Sequence, residues 1–183
     1  MRLPFLSVCF WAVVALSVNA QEGDSTDLSR YEVFKEGETI VSLDRLQTME
    51  DEYKTLVAEA ECKEALPMIV AFYEAANKTS NILRRGNEPF YDATRDDRES
   101  VGRNRDLLNT LIAAENASNN LIKQRNVAWV EEAKCLLQVG DNEAAIHRLY
   151  RALDYIGTDH DEQALWKEAR DLLWKEVGFR TDQ

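Results

Sequence analysis

VAWVEEAKCLLQVGDNEAAIHRLYRALDYIG, residues 127–157, is the stretch that decides the fold. Its middle, Val139-Gly140-Asp141-Asn142, is a break: glycine suits a left-handed position after a helix, and Asp or Asn caps the next one. Before the break, Val127, Trp129, Val130, Ala133, Leu136 and Leu137 recur at three- and four-residue steps. After it, Ala145, Ile146, Leu149, Ala152, Leu153 and Ile156 do the same. Each side therefore carries one apolar stripe, the signature of an amphipathic helix. A short turn between two such helices predicts an antiparallel pair. Ala133, Ala145 and Ala152 let the backbones approach, and Trp129, Leu136 and Leu149 fill the remaining volume.

These residues resemble a tetratricopeptide repeat. Trp129, Ala133, Leu136, Gly140, Ala145, Leu149 and Ala152 stand where that family alternates large and small residues around a glycine turn. Gly157 occupies the place where the family usually has proline. The resemblance covers this one unit, about a fifth of the chain. It implies a stack of helical hairpins that binds a protein or peptide through the face made by its first helices. On this unit that face comprises Val130, Lys134, Leu137 and Gln138, with Lys134 available to an acidic group and Leu137 to an apolar one. The alternative for the same residues is packing against a neighbouring hairpin.

A weaker copy precedes it. Ser42 is a predicted N-cap for a helix over 43–60, with Leu43, Leu46, Met49, Tyr53, Leu56, Val57 and Ala60 on one face. Leu56, Ala65, Ile69 and Phe72 form the core of that hairpin, whose second helix runs to about Arg85 and stops at Gly86. Tyr53 stands where the family has a small residue, and Ala60 replaces the turn glycine. Pro67 falls near the start of the second helix, where proline is tolerated. Residues 86–104 then read as the longest irregular candidate, either a functional loop or a solvated linker or polar helix start, with Phe90 and Tyr91 either tucking it onto the core or presenting an aromatic contact. A helix is predicted over 105–122, with a weak point at ENASNN, residues 115–120. A last helix over 161–177, capped by Thr158 or Asp159, covers the end of the stack. Its Trp166 and Trp174 fall toward a second face, as core or as a patch for a partner.

The N-terminus has another character. Residues 1–20 carry Arg2, an apolar run and Val18-Asn19-Ala20, the build of a cleavable signal peptide for export to the periplasm or outside the cell. Its removal takes away Arg2 and lowers the formal charge from −11 to −12. Residues 21–41 read as a polar linker followed by an extended or β-hairpin arm around Glu36-Gly37. Residues 42–183 are the helical domain. No later segment is apolar enough to insert in a membrane. So acidic a chain is a poor ligand for nucleic acid or anionic lipid.

Two cysteines remain after cleavage, Cys62 and Cys135. In an oxidising compartment they form a disulfide; as small residues beside helices, two buried thiols fit equally well. With His147 and His160 they do not have metal-ligand spacing. No motif implies a cofactor, and no hydrolase elbow, phosphate loop or zinc-helix pattern marks an enzyme. Glu131 and Glu132 are adjacent on a helix and point apart. Asn77-Lys78-Thr79 and Asn116-Ala117-Ser118 match the glycosylation pattern, which matters only on a eukaryotic route. The reading is an exported all-α interaction module of about six helices, TPR-like, without catalysis. A small-ligand-binding helical bundle is the alternative, and an enzyme with an unrecognised carboxylate site a more distant one.

Overall fold

A computed structural model describes residues 40–91 and 93–179. The expected signal peptide, the linker and all but the end of the arm lie outside the described residues. Those described belong to one compact unit, Val33–Gln183. They form six helices and no strand: α1 Leu43–Ala58, α2 Cys62–Tyr91, α3 Arg95–Arg103, α4 Arg105–Val139, α5 Asn142–Tyr155 and α6 Gln163–Glu176. The fold is all-α. None of these helices is long and apolar enough to cross a membrane.

Helix α4 is the spine. Its 35 residues span roughly 52 Å at 1.5 Å per residue. Leu121, Ala128 and Cys135, spaced by seven, are buried against α1 and α2. Trp129, Val130 and Ala133 are buried against α5 and α6. One helix thus closes two cores, and Tyr73 of α2 packs against both.

The register is read from cross-helix partners. Along α2 and α4 the partners are Cys62 with Cys135, Ser80 with Ser118, and Asn87 with Leu111. As one number rises the other falls, so the helices are antiparallel. Between α4 and α5 the same holds for Glu132 with Arg148 and Asn126 with Tyr155. The expected hairpin over 127–157 is therefore present. Gly140 ends α4 at φ 86°, its N–H bonding back to Leu137 O, and the Asp141 side chain accepts from Ala144 N at 3.1 Å.

Three expectations give way. Helix α2 does not stop at Gly86. A mid-helix glycine costs about 1 kcal/mol, and a tertiary tie beyond it offsets that: buried Asn87 donates to Leu111 O at 3.3 Å. Residues 86–104 are not one irregular segment either. They hold the last turn of α2, then α3, and Asn104 caps α4 by accepting from Leu107 N. Nor does ENASNN break the chain. Ser118 is buried there, its hydroxyl 2.9 Å from that of Ser80, and each hydroxyl lies 3.2 Å from the other residue's carbonyl. The Ser118 hydroxyl is thus satisfied against α2, and the helix continues through this stretch.

Two junctions fix the first hairpin on the spine. Ala60, in the α1–α2 turn, holds φ 60°, a left-handed conformation with a penalty for any residue bearing a Cβ. The disulfide Cys62–Cys135, with Cα atoms 4.9 Å apart, joins the first residue of α2 to the last turn of α4. Of the two states open to these cysteines, the structure holds the bridged one.

Ala60→Gly is expected to stabilise the protein by roughly 0.5–1 kcal/mol, because relief of the left-handed strain exceeds the added chain entropy; the denaturant midpoint measures it. Replacing both bridge cysteines by serine is expected to cost about 2–4 kcal/mol, since the bridge closes a long loop across a separation of 73 residues. Urea unfolding of the oxidised wild type and the double variant checks this.

Candidate functional site

The residues expected to meet a partner are the α4 face Val130, Lys134, Leu137 and Gln138 and, separately, the Phe90–Tyr91 pair at the end of α2. Val130 has no exposure and lies in the α4–α5–α6 core, where stack-internal packing takes its side chain. Lys134 pairs with Glu131 at 2.9 Å and with Glu168 of α6. Burial pulls the Lys134 pKa down, but the hydrogen bonds to Glu168 and Glu131 outweigh it and the net shift is upward. Helix α6 therefore already supplies the acidic partner foreseen for this lysine. Leu137 is half-buried. Gln138 is exposed and donates to Ala60 O at 3.5 Å, toward the α1–α2 turn. Phe90 is half-buried near the far end of α2, and the side chain of Tyr91 lies outside the described residues.

A different set converges. A cleft of about 300 Å³ opens between α2, α4 and α5. Tyr73, Glu74 and Asn77 come from α2, Arg125 and Trp129 from α4, and Arg148, Arg151 and Tyr155 from α5. Each helix contributes by simple periodicity: Tyr73 and Asn77 are four apart, as are Arg125 and Trp129, and Arg148, Arg151 and Tyr155 are three and four apart. Three arginines and three aromatic rings thus meet in one concavity of an acidic protein.

Arg125 is only 6% exposed. Its guanidinium carbon stands 4.3 Å from the centroid of the Trp129 ring and 5.2 Å from that of Tyr155. It donates to Asn77 Oδ1 at 2.8 Å and to Asn126 Oδ1 at 2.9 Å and 3.3 Å. Among the described residues, all its hydrogen-bond acceptors are neutral amides. Burial pulls its pKa down, Tyr155 and Glu162 offset part of this, and the nearby Arg151 charge adds to the fall.

Asn126, with no exposure, explains why Arg125 can be held there. Its Nδ2 donates to Tyr155 O at 3.2 Å and to Glu162 Oε1 at 2.9 Å, while its Oδ1 receives Arg125. Glu162 in turn accepts from Gly157 N at 3.1 Å. A Cβ at Gly157 would meet that carboxylate oxygen at 2.9 Å, so a larger residue there would displace the end of the Glu162 side chain. The turn after α5 is thereby locked to α4, and the cleft wall with it.

Arg148 is committed otherwise. Its Nε lies 2.7 Å from Glu132 Oε2, and its second nitrogen reaches Glu132 Oε1 and the Tyr73 hydroxyl, each at 3.0 Å. Of the adjacent pair Glu131 and Glu132, one faces Lys134 and the other Arg148, so the two carboxylates serve different contacts. Burial raises the pKa of Glu132, and Arg148 opposes that rise without cancelling it. Arg151 is exposed; it lies 5.5 Å from the Trp129 ring centroid and has no ion pair or hydrogen bond among the described residues.

Neither glycosylation match is an open loop. Asn77 is half-buried and holds Arg125, while Ser118 of the second match is buried. Among the described residues no group of three His, Cys, Asp or Glu side chains could hold a metal ion. On α6, Trp166 packs on the second core and Arg170 lies over the rings of Trp166 and Trp174 at 5.3 Å and 4.6 Å.

No family model matches the chain, and no curated protein or solved structure is significantly similar to it.

Sequence reasoning passed over the cleft because its residues are distributed over three helices. The within-helix spacings were visible, but which faces meet depends on the antiparallel registers.

The raised pKa of Glu132 has a definite linkage sign. Its stabilising contribution is full below the ordinary value of 4.5 and is lost as pH rises through the raised folded value. Glu132→Gln removes that titration. The stability of the variant relative to wild type is therefore expected to move in the variant's favour between pH 4.5 and neutrality, which urea midpoints across that range measure.

Proposed function

We propose that this chain is an exported, non-catalytic interaction module that binds a protein or peptide through the cleft between α2, α4 and α5. The observation that carries this reading is the convergence of Tyr73, Trp129 and Tyr155 with Arg125 and the uncommitted Arg151. Aromatic rings and arginine are the side chains that dominate binding hot spots, because they offer large contact area at low entropic cost. The resemblance of 127–157 to a tetratricopeptide unit supports the same class of function. It stays confined to that hairpin: α4 alone is 35 residues long, about the length of a whole 34-residue repeat. Export is supported by the build of residues 1–20 and by the Cys62–Cys135 bridge, since such bridges persist in oxidising compartments.

A small-ligand reading has one observation in its favour. The cleft volume of about 300 Å³ is at the lower end of the range for small-molecule sites.

The test is partner recovery from the native exported fraction. Wild type is compared with Arg151→Glu, and separately with a Lys134→Glu, Leu137→Asp double variant, each checked by circular dichroism. A partner retained by wild type, and reduced at least tenfold by Arg151→Glu, is the expected result. Equal recovery by Arg151→Glu, or no partner with any form, overturns the cleft as a protein-binding surface.

A further inference from the structure

The cleft holds its positive charge in an unusual way. Buried charges in proteins are normally paired with an opposite charge, because desolvation otherwise costs several kcal/mol. Arg148 obeys this through Glu132. Arg125 does not: among the described residues only neutral amides accept its hydrogen bonds, and the compensating carboxylate, Glu162, sits behind Asn126. A guanidinium has five N–H donors, of which Arg125 commits three to Asn77 and Asn126. Arg151 stands by the same indole, with all its donors uncommitted among the described residues. Both guanidiniums line one concavity, and each raises the cost of the other's charge.

We infer that this cleft binds a carboxylate carried on an apolar or aromatic group, with the anion held by Arg125 and Arg151 and its carrier packed against Trp129 and Tyr155. Two features select a carboxylate over a phosphate. Glu74 lies at the cleft and repels a second negative charge, and Glu74 together with the Arg148-bound Glu132 balances two of the three guanidiniums, Arg125, Arg148 and Arg151. One positive charge in excess suits a monoanion. The fork of arginine N–H groups matches the two oxygens of a carboxylate. The rings supply the apolar wall, which a bare inorganic anion does not use. This inference rests on the cleft reading above and names its ligand chemistry, which an acidic peptide side chain or a small aromatic acid can both provide.

The experiment uses the mature full chain labelled with ¹⁵N, following the Nε–H signal of Arg125 and the indole signal of Trp129. The probes are an N-acetyl-aspartyl-phenylalanine amide dipeptide, its asparagine counterpart, 3-phenylpropionate, 3-phenylpropionamide and inorganic phosphate. Saturable shifts of both signals are expected with the two carboxylates and not with their amides. Arg151→Gln, an exposed change on α5, is expected to weaken that binding at least tenfold. Tighter binding of the dipeptide assigns the carboxylate to a peptide, and tighter binding of 3-phenylpropionate assigns it to a small ligand; both uphold the inference. Phosphate binding as tight as the carboxylates, or no saturable shift with either carboxylate, overturns it. If that occurs while Arg151→Glu still abolishes partner recovery, the ligand chemistry is wrong and the binding surface is right.

Discussion

The structure depends on one constraint: α4 must be buried on two sides and still satisfy nearly all the polar groups it carries inward, the Trp129 indole nitrogen being buried without a hydrogen-bond partner among the described residues. An amphipathic helix normally offers one apolar stripe to one core. Helix α4 gives Leu121, Ala128 and Cys135 to α1 and α2, and Trp129, Val130 and Ala133 to α5 and α6. Its inward polar residues therefore have no water to face. Ser118 meets Ser80, Gln124 donates to Glu50 at 2.8 Å, Asn126 reaches Glu162, and Glu132 binds Arg148. Each contact ties a different helix or turn to the spine. Because an orphaned buried polar group costs about 1–3 kcal/mol, these pairs act on register more than on net stability. A shift of either hairpin along α4 by one turn would orphan several at once.

The cleft is a by-product of that arrangement. Helices α2 and α5 pack on neighbouring faces of α4, and small residues such as Ala128, Ala145 and Ala152 bring backbones close where the cores lie. Between the two cores the larger Tyr73, Arg125, Trp129 and Tyr155 hold the helices apart. The same Asn126–Glu162–Gly157 contacts that fix the turn after α5 also fix the wall of the cleft. A site built this way is preorganised: its rings and its buried arginine are positioned by the fold, and only Arg148 and Arg151 on α5 differ in how far their charge is already used.

Much of the fold was legible in the chain. The 127–157 pattern gave the hairpin, its turn and the residues that close its core, because glycine at a left-handed position and three-to-four spacing are local facts. Ser42 and Asp141 were legible as caps for the same reason. Gly86 was read as a stop and residues 115–120 as a weak point because local propensity says so, and there tertiary contacts hold the helices through Asn87 and Ser118. Val130 and Lys134 were left between a partner's contacts and packing against a neighbouring hairpin, because a single stripe cannot show that Val130 enters the α4–α5–α6 core or that Glu168 of α6 meets Lys134.

By itself, then, the sequence determined the all-helical class, the Ser42 and Asp141 caps, the Gly140 turn, and the stripes that must be buried, since these depend on residues within a few positions of one another. The tertiary structure decided the length of α2 and α4, the Cys62–Cys135 bridge and the membership of the cleft. Those depend on contacts between residues tens of positions apart, such as Asn77 with Arg125 and Tyr73 with Arg148. Only the antiparallel registers bring those residues together, and a register is a property of packed faces, not of any one segment.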